Sequence, residues 1–286
     1  KMSGGGEKRG RDGGGGKPDH KRQKKHYIGG RGRGQFKDSG RVVAGFERLR
    51  VPGIRGILVS CDVKVESLCS AECIMAFEEM ALARYPSLAP PEASAASDNI
   101  EAAIAAEAAA EKKQALFGLV KTNVKGLVFV ETKHADVDPV ALCRDYLTKV
   151  KETGRAKTKY AVRITPVMAT CYAGMEPILK AAGGLITQHL GPDAPATTYA
   201  VMFKKRSNDE VDREDAIKKI AELVDKKHKV NLTTPDYCIL VDIMTNICCL
   251  AVVADYITLR RFNIHELAGI GPNNAPKKDK KQEGEE

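Results

Sequence analysis

No run in the 286-residue sequence holds the ~20 consecutive apolar residues that a membrane-spanning helix requires. Its first residues also lack the apolar core of a secretory signal. A reducing compartment is therefore expected for the eight cysteines, Cys61, Cys69, Cys73, Cys143, Cys171, Cys238, Cys248 and Cys249. Most sit inside apolar runs, where a thiol packs as a small hydrophobe, so no disulfide framework is expected. Catalytic motifs are missing as well. There is no Walker loop ending in Gly-Lys-Ser/Thr, no Gly-x-Ser-x-Gly elbow, and no His-x-Glu with the Pro-Cys-x-x-Cys of a zinc deaminase. His134, His189, His228 and His265 stand singly and read as surface or partly buried side chains. Cys69 and Cys73 lie one helical turn apart, a spacing that suits a metal ion. No second Cys or His pair follows at the spacing of structural zinc, so both read as buried thiols. No catalytic residue, cofactor or metal is expected, and a binding protein is favoured over an enzyme.

What the sequence does have is a basic, glycine-rich beginning. Residues 1–40 hold 13 of the 26 glycines, and residues 1–38 carry 12 Lys/Arg against 4 Asp/Glu, which accounts for almost all of the net charge of +9. Such a segment buries too little apolar surface to fold alone, so a disordered basic arm is expected over 1–40. Lys21-Arg22-Gln23-Lys24-Lys25 reads as a nuclear-import signal or a phosphate-binding patch. Arg31 and Arg33 between glycines, flanked by Tyr27 and Phe36, resemble segments that stack on and neutralise single-stranded nucleic acid. A solubilising tail is an equal alternative. The remaining chain is close to neutral.

Apolar patterning then predicts an ordered body. A strand is expected over 53–61 and a helix over 66–85. A low-complexity Ala/Glu/Pro insert spans 86–113. A hairpin is expected over 115–132, a helix over 136–152 capped by Asp138, and a strand over 159–167. Without the insert this is β-α-β-β-α-β, the split ferredoxin-like unit. A second set follows: a helix over 174–190, a strand over 197–207, a helix over 212–227 capped by Asp212, and two buried strands over 237–256 around Thr245-Asn246. The polar tail beyond is expected to be disordered.

Thr234-Pro235-Asp236-Tyr237 resembles the tetrapeptide of base-amino methyltransferases but has one proline instead of two. No strand–Gly-loop–helix unit is available to hold a methyl donor. The start of a strand is the better reading, because the proline's missing N–H does no harm there. Candidate binding residues are cations near strand ends. Lys204-Lys205-Arg206 closes one strand without a flanking acid to pair, and Arg213 opens the next helix. Lys226, Lys227, His228 and Lys229 end that helix. Lys204–Arg206 and Lys229 would converge if their strand and loop share a sheet edge, where phosphates could be held. For Lys226 and Lys227, a solvated helix C-terminus favoured by its dipole is an equal reading.

"TYAVMFKKRS", "VDREDAIKKIAELV" and "KVNLTTPDYCILVDI" together resemble a THUMP domain. "PGIRGILVSC", "RITPVMATC" with Arg163, Pro166 and Cys171, the positions Lys204, Arg206 and Asn208, and "NICCLAVVADYITLRRFNIHEL" resemble the adaptor family of tRNA cytidine acetylation. The resemblance covers residues 51–267. It implies an α+β chain with a ferredoxin-like domain at 41–165, a THUMP domain at 166–267 and a disordered tail at 268–286. It also implies a non-catalytic protein that grips tRNA and presents serine and leucine tRNAs to a separate RNA cytidine acetyltransferase for N4-acetylcytidine formation. A nuclear or nucleolar location follows, with the cytoplasm as a further one. The residues expected to meet RNA are Arg163, Lys204, Lys205, Arg206, Arg213, Lys229, Asn231 and Thr234, with Arg260 and Arg261 serving RNA or the enzyme. Two other readings stand beside this one: a tRNA-modifying enzyme acting by methyl transfer or thiolation, and a general RNA-binding or ribosome-assembly factor.

Overall fold

A computed structural model describes residues 43–89 and 115–270. The expected basic arm, most of the Ala-rich insert and the charged tail lie outside the described residues. Within them the chain builds two mixed sheets with helices, an α/β architecture.

The first sheet contains β1 (Val43–Ala44), β2 (Gly56–Cys61), β3 (Phe117–Val120), β4 (Leu127–Thr132) and β5 (Ala161–Val167), in the order β1-β3-β4-β2-β5. Only the β1–β3 pair is parallel; β3–β4, β4–β2 and β2–β5 are antiparallel. Helix α1 (Glu66–Arg84) follows β2, and α2 (Pro139–Thr153) follows β4. Asp138 caps α2 by accepting from the Val140 and Ala141 amides, and Gly154 ends it at φ 64°, the left-handed value a C-terminal glycine supplies without strain. Gly56 is needed for close approach, since a Cβ there would lie 2.3 Å from the Val130 carbonyl.

The second sheet contains β6 (Ala169–Tyr172), β7 (Thr198–Arg206), β8 (Lys229–Val230), β9 (Tyr237–Met244) and β10 (Ile247–Ala254), in the order β6-β10-β9-β7-β8. β7 pairs in parallel with both β8 and β9, while β9–β10 and β10–β6 are antiparallel. Helices α3 (Met175–Leu190) and α4 (Arg213–Glu222) pack on one face of it. Asp212 caps α4 as expected, but the helix ends at Glu222, short of the expected 227. The short strands β6 and β8 escaped the sequence reading, because two to four residues are too few to show a period. β5 ends at Val167, where the strand expected over 159–167 ends.

Both faces of β9 and β10 are buried, which explains why they read as continuous apolar runs. Ile239, Val241, Ile243, Leu250 and Val252 meet α3 and α4. Cys238, Leu240, Ala251 and Val253 share a core with Ile57, Val59, Phe77 and Phe117 from the first sheet and α1. The opposite face of the first sheet (Leu58, Phe129, Val167) packs against Leu49, Met244, Ile247 and Cys249. The two sheets are therefore joined through buried side chains of β9 and β10. Among the described residues no helix is long and apolar enough to cross a membrane.

Candidate functional site

Strand alternation divides the basic run at the end of β7. Lys204 and Arg206 share a face with Met202, which packs toward the first sheet. Lys205 takes the face of Tyr199 and Phe203, next to α4. There its Nζ donates to the Val211 carbonyl at 3.1 Å, and Arg213 Nη1 donates to the Phe203 carbonyl at 3.2 Å. Lys205 and Arg213 thus tie α4 to β7 on the opposite side of the sheet from Lys204.

On the inward face the β7–β9 register sets Lys204 beside Asp242. Arg206 Nη1 donates to Asp242 Oδ1 at 2.7 Å. The expectation of a basic run without an acid to pair is therefore corrected: the acid comes from the neighbouring strand, not from the flanking sequence. Burial pushes the Asp242 carboxyl above its ordinary range, against the pull of Arg206, Lys204 and Arg163. Lys204 is shifted down, first by burial and then by Arg163, with Asp242 opposing and Arg206 and Arg261 adding to the repulsion. Its Nζ lies 3.5 Å from the hydroxyl of Tyr256.

Arg163 and Arg261 come from two segments, β5 and the turn after β10, that pack against each other. Arg163 on β5 forms an isolated antiparallel bridge with Asn263. Asn263 accepts from the His265 and Glu266 amides and so caps α5 (Ile264–Leu267). Just before it, Arg260, Arg261 and Phe262 all have positive φ, at 52°, 53° and 61°. Left-handed backbone costs a non-glycine residue ~1–2 kcal/mol. The turn is held by the Arg261 amide donating to the Tyr256 carbonyl at 2.7 Å and by the buried Phe262 ring packed edge-on against Tyr256. Phe262 buries while Arg260 and Arg261 remain exposed.

Arg163, Lys204 and Arg206 therefore lie around the carboxylate of Asp242, and Arg261 adds its charge beside Lys204. Among the described residues Arg163 and Arg261 have no ion-pair partner, and the buried Nε of Arg163 has no acceptor at all. A buried donor without an acceptor calls for an explanation, and an anion is the species that cations so placed would bind. Asp242 and Tyr256 were not singled out from sequence, although a lone Asp inside the apolar "CILVDIM" was a visible signal.

Lys229, Asn231 and Thr234 lie elsewhere. Lys229 pairs with Thr198 at the start of β7, and six residues of strand place it roughly 20 Å from Lys204. The expected convergence of Lys229 with Lys204–Arg206 is corrected accordingly. Asn231 closes its own loop by accepting from the Thr233 and Thr234 amides at 3.0 and 3.1 Å. Asp236 accepts from the Thr198 amide and from both Thr197 and Thr198 hydroxyls, which pins the starts of β7 and β9 together. Its carboxyl is held below the usual range by these donors, the Thr198 hydroxyl first. Lys227 spends its ammonium on the Pro192 carbonyl. A cleft of about 540 Å³ lies away from the cationic cluster on the first sheet, lined by Arg48, Arg55, Glu131, Lys133 and His134. Its two arginines are already engaged, Arg48 with Glu131 and Arg55 with the Ala135 and Val137 carbonyls.

The THUMP domain family matches residues 172–253, from the end of β6 to the penultimate residue of β10. A THUMP domain-containing protein 1 homolog from Drosophila melanogaster is 30% identical over 265 residues, covering 82% of this chain and 78% of that one. THUMP domain-containing protein 1 of Mus musculus is 29% identical over 265 residues, covering 86% and 74%. The protein named tRNA acetyltransferase TAN1 of Saccharomyces cerevisiae is 26% identical over 250 residues, covering 76% and 85%. With this extent of similarity running through both sheets, the chain belongs to the THUMP domain-containing protein 1 family.

Proposed function

We propose that this protein is a tRNA-binding adaptor that presents tRNA, serine and leucine acceptors among them, to a separate acetyltransferase for N4-acetylcytidine formation. The observation that carries this reading is the cluster of Arg163, Lys204, Arg206 and Arg261, with its acceptor-less Arg163 Nε, at the seam between the two sheets. Cations held by a folded scaffold suit the phosphates of a structured RNA, because such contacts fix register and orientation. The name of the yeast relative supports tRNA acetylation as the process served. The β2-α1-β3-β4-α2-β5 order of the first sheet supports reading that part as the split ferredoxin-like unit beside the THUMP domain. Arg260 sits next to the cluster and is suited to RNA or to the enzyme. Lys229, Asn231 and Thr234 form a second contact region at the far end of β7. A nuclear or nucleolar location belongs to the same reading.

Mass spectrometry of tRNA nucleosides from cells lacking the protein tests the proposal. Loss of acetylcytidine, restored by the wild-type chain and not by a Lys204→Ala/Arg261→Ala variant, is the expected result. A normal acetylcytidine level refutes it. The name of the yeast relative also favours a second reading, in which the chain itself transfers the acetyl group. Acetylation of tRNA by the purified chain with acetyl-CoA and no partner would establish that reading in place of the adaptor.

A further inference from the structure

Helix α1 brings together side chains that the cationic cluster does not use. Cys69 and Cys73 are both fully buried, and their Sγ atoms lie 3.9 Å apart. Glu72 stands between them, and the ligand atoms of all three fall within 4.8 Å of one another. Glu72 is only partly buried, so the group reaches the surface. Sequence spacing showed the Cys69/Cys73 pair but not the Glu72 carboxylate beside it.

The geometry matches a known coordination chemistry. Four ligands around zinc at ~2.3 Å from each sulfur leave neighbouring sulfurs about 3.8 Å apart, close to the separation of Cys69 and Cys73. Glu72 is already oriented: its oxygens accept from the Lys159, Tyr160 and Ala161 amides at 2.8, 2.6 and 3.0 Å. A carboxylate offers about four acceptor positions, so one remains for a cation. The same amides are the outer hydrogen bonds that hold a ligating carboxylate in place.

We propose that Cys69, Cys73 and Glu72, with a solvent molecule as the fourth ligand, bind a zinc-class divalent cation on α1 beside the start of β5. Without metal the thiols are protonated at neutral pH, since an ordinary thiol ionises only at about 8.5. Each coordinating thiol therefore releases its proton to solvent when the ion binds. No electron transfer is involved. Soft thiolates select zinc or cobalt over magnesium or calcium.

The test uses the full reduced chain titrated with Co²⁺. The expected result is one equivalent bound, with an intense thiolate-to-cobalt charge-transfer band and the visible bands of a tetrahedral site, displaced by Zn²⁺ and unaffected by Mg²⁺. Cys73→Ala should abolish the bands, Glu72→Gln should weaken binding at least tenfold, and Cys238→Ala, at a buried thiol on β9, should bind as the wild type does. Should Cys73→Ala fold poorly, the wild-type chain carries a second readout: Zn²⁺ should raise Tm and release protons into weakly buffered solution. Absence of the charge-transfer band, its persistence in Cys73→Ala, or Zn²⁺ addition without proton release overturns the site.

Discussion

Replacing Lys204 with methionine separates RNA contact from fold stability. The folded protein depresses the pKa of Lys204, first by burial and then by repulsion from Arg163, with Arg206 and Arg261 adding to it. A lysine shifted this way binds its proton less tightly in the folded than in the unfolded chain. Its charge therefore works against folding at neutral pH, and that opposition fades only as the pH rises through the folded value toward the unfolded one. Lys204→Met removes the charge while keeping an unbranched apolar stem, so stability at pH 7 should be unchanged or higher. Binding should move the other way. One charge-assisted phosphate contact is worth ~1.5 kcal/mol net, which is about tenfold in Kd. Losing one neutralised phosphate also flattens the plot of log affinity against log salt by about 0.7–0.9. Urea denaturation and fluorescence-monitored tRNA binding between 50 and 200 mM salt measure the two quantities on the same samples. An unchanged Kd and slope would remove Lys204 from the RNA contact. Loss of binding together with loss of stability would refute the argument from repulsion.

Asp242→Ala makes a complementary prediction. It leaves Arg206 without its partner, and since the Arg206 side chain is 35% exposed the cost should fall below the usual buried-pair range, at about 2 kcal/mol by denaturation. Removing the negative charge should at the same time tighten tRNA binding at low salt. Phe129→Ala should cost ~3–5 kcal/mol, because the ring is fully buried between the first sheet and the β9–β10 turn; calorimetry would show the fall in Tm. Asp236 has a depressed pKa, so its contribution is present above the unfolded carboxyl value and lost as the pH falls through the folded one. Asp236→Asn should therefore show a flatter decline of stability on acidification than the wild type.

Much of the fold was legible because its elements announce themselves locally. Asp138 before Pro139 and Asp212 before a charged first turn mark two helix starts, and both caps form as expected. "YCILVDIM" and "ICCLAVVA" are apolar throughout because both faces of β9 and β10 are covered. The pairing between distant strands was not legible. Lys204, Lys205 and Arg206 look alike as a basic run, yet alternation sends the middle one to the opposite face of the sheet. Which acid meets Arg206 depends on the parallel β7–β9 register, and no local pattern encodes that choice.

Chain chemistry alone determined the overall charge distribution, the order of the longer helices and strands, and the resemblance to THUMP proteins, since each is read from neighbouring residues. Tertiary structure decided which cations act together. It moved Lys229 to the far end of β7, set Arg163 near Asp242 and Arg261 near Lys204, and held the Glu72 carboxylate against the amides that open β5. The physical reason is that electrostatic and coordination contacts act over a few ångströms of space, while the residues that make them are separated by tens of positions in the chain.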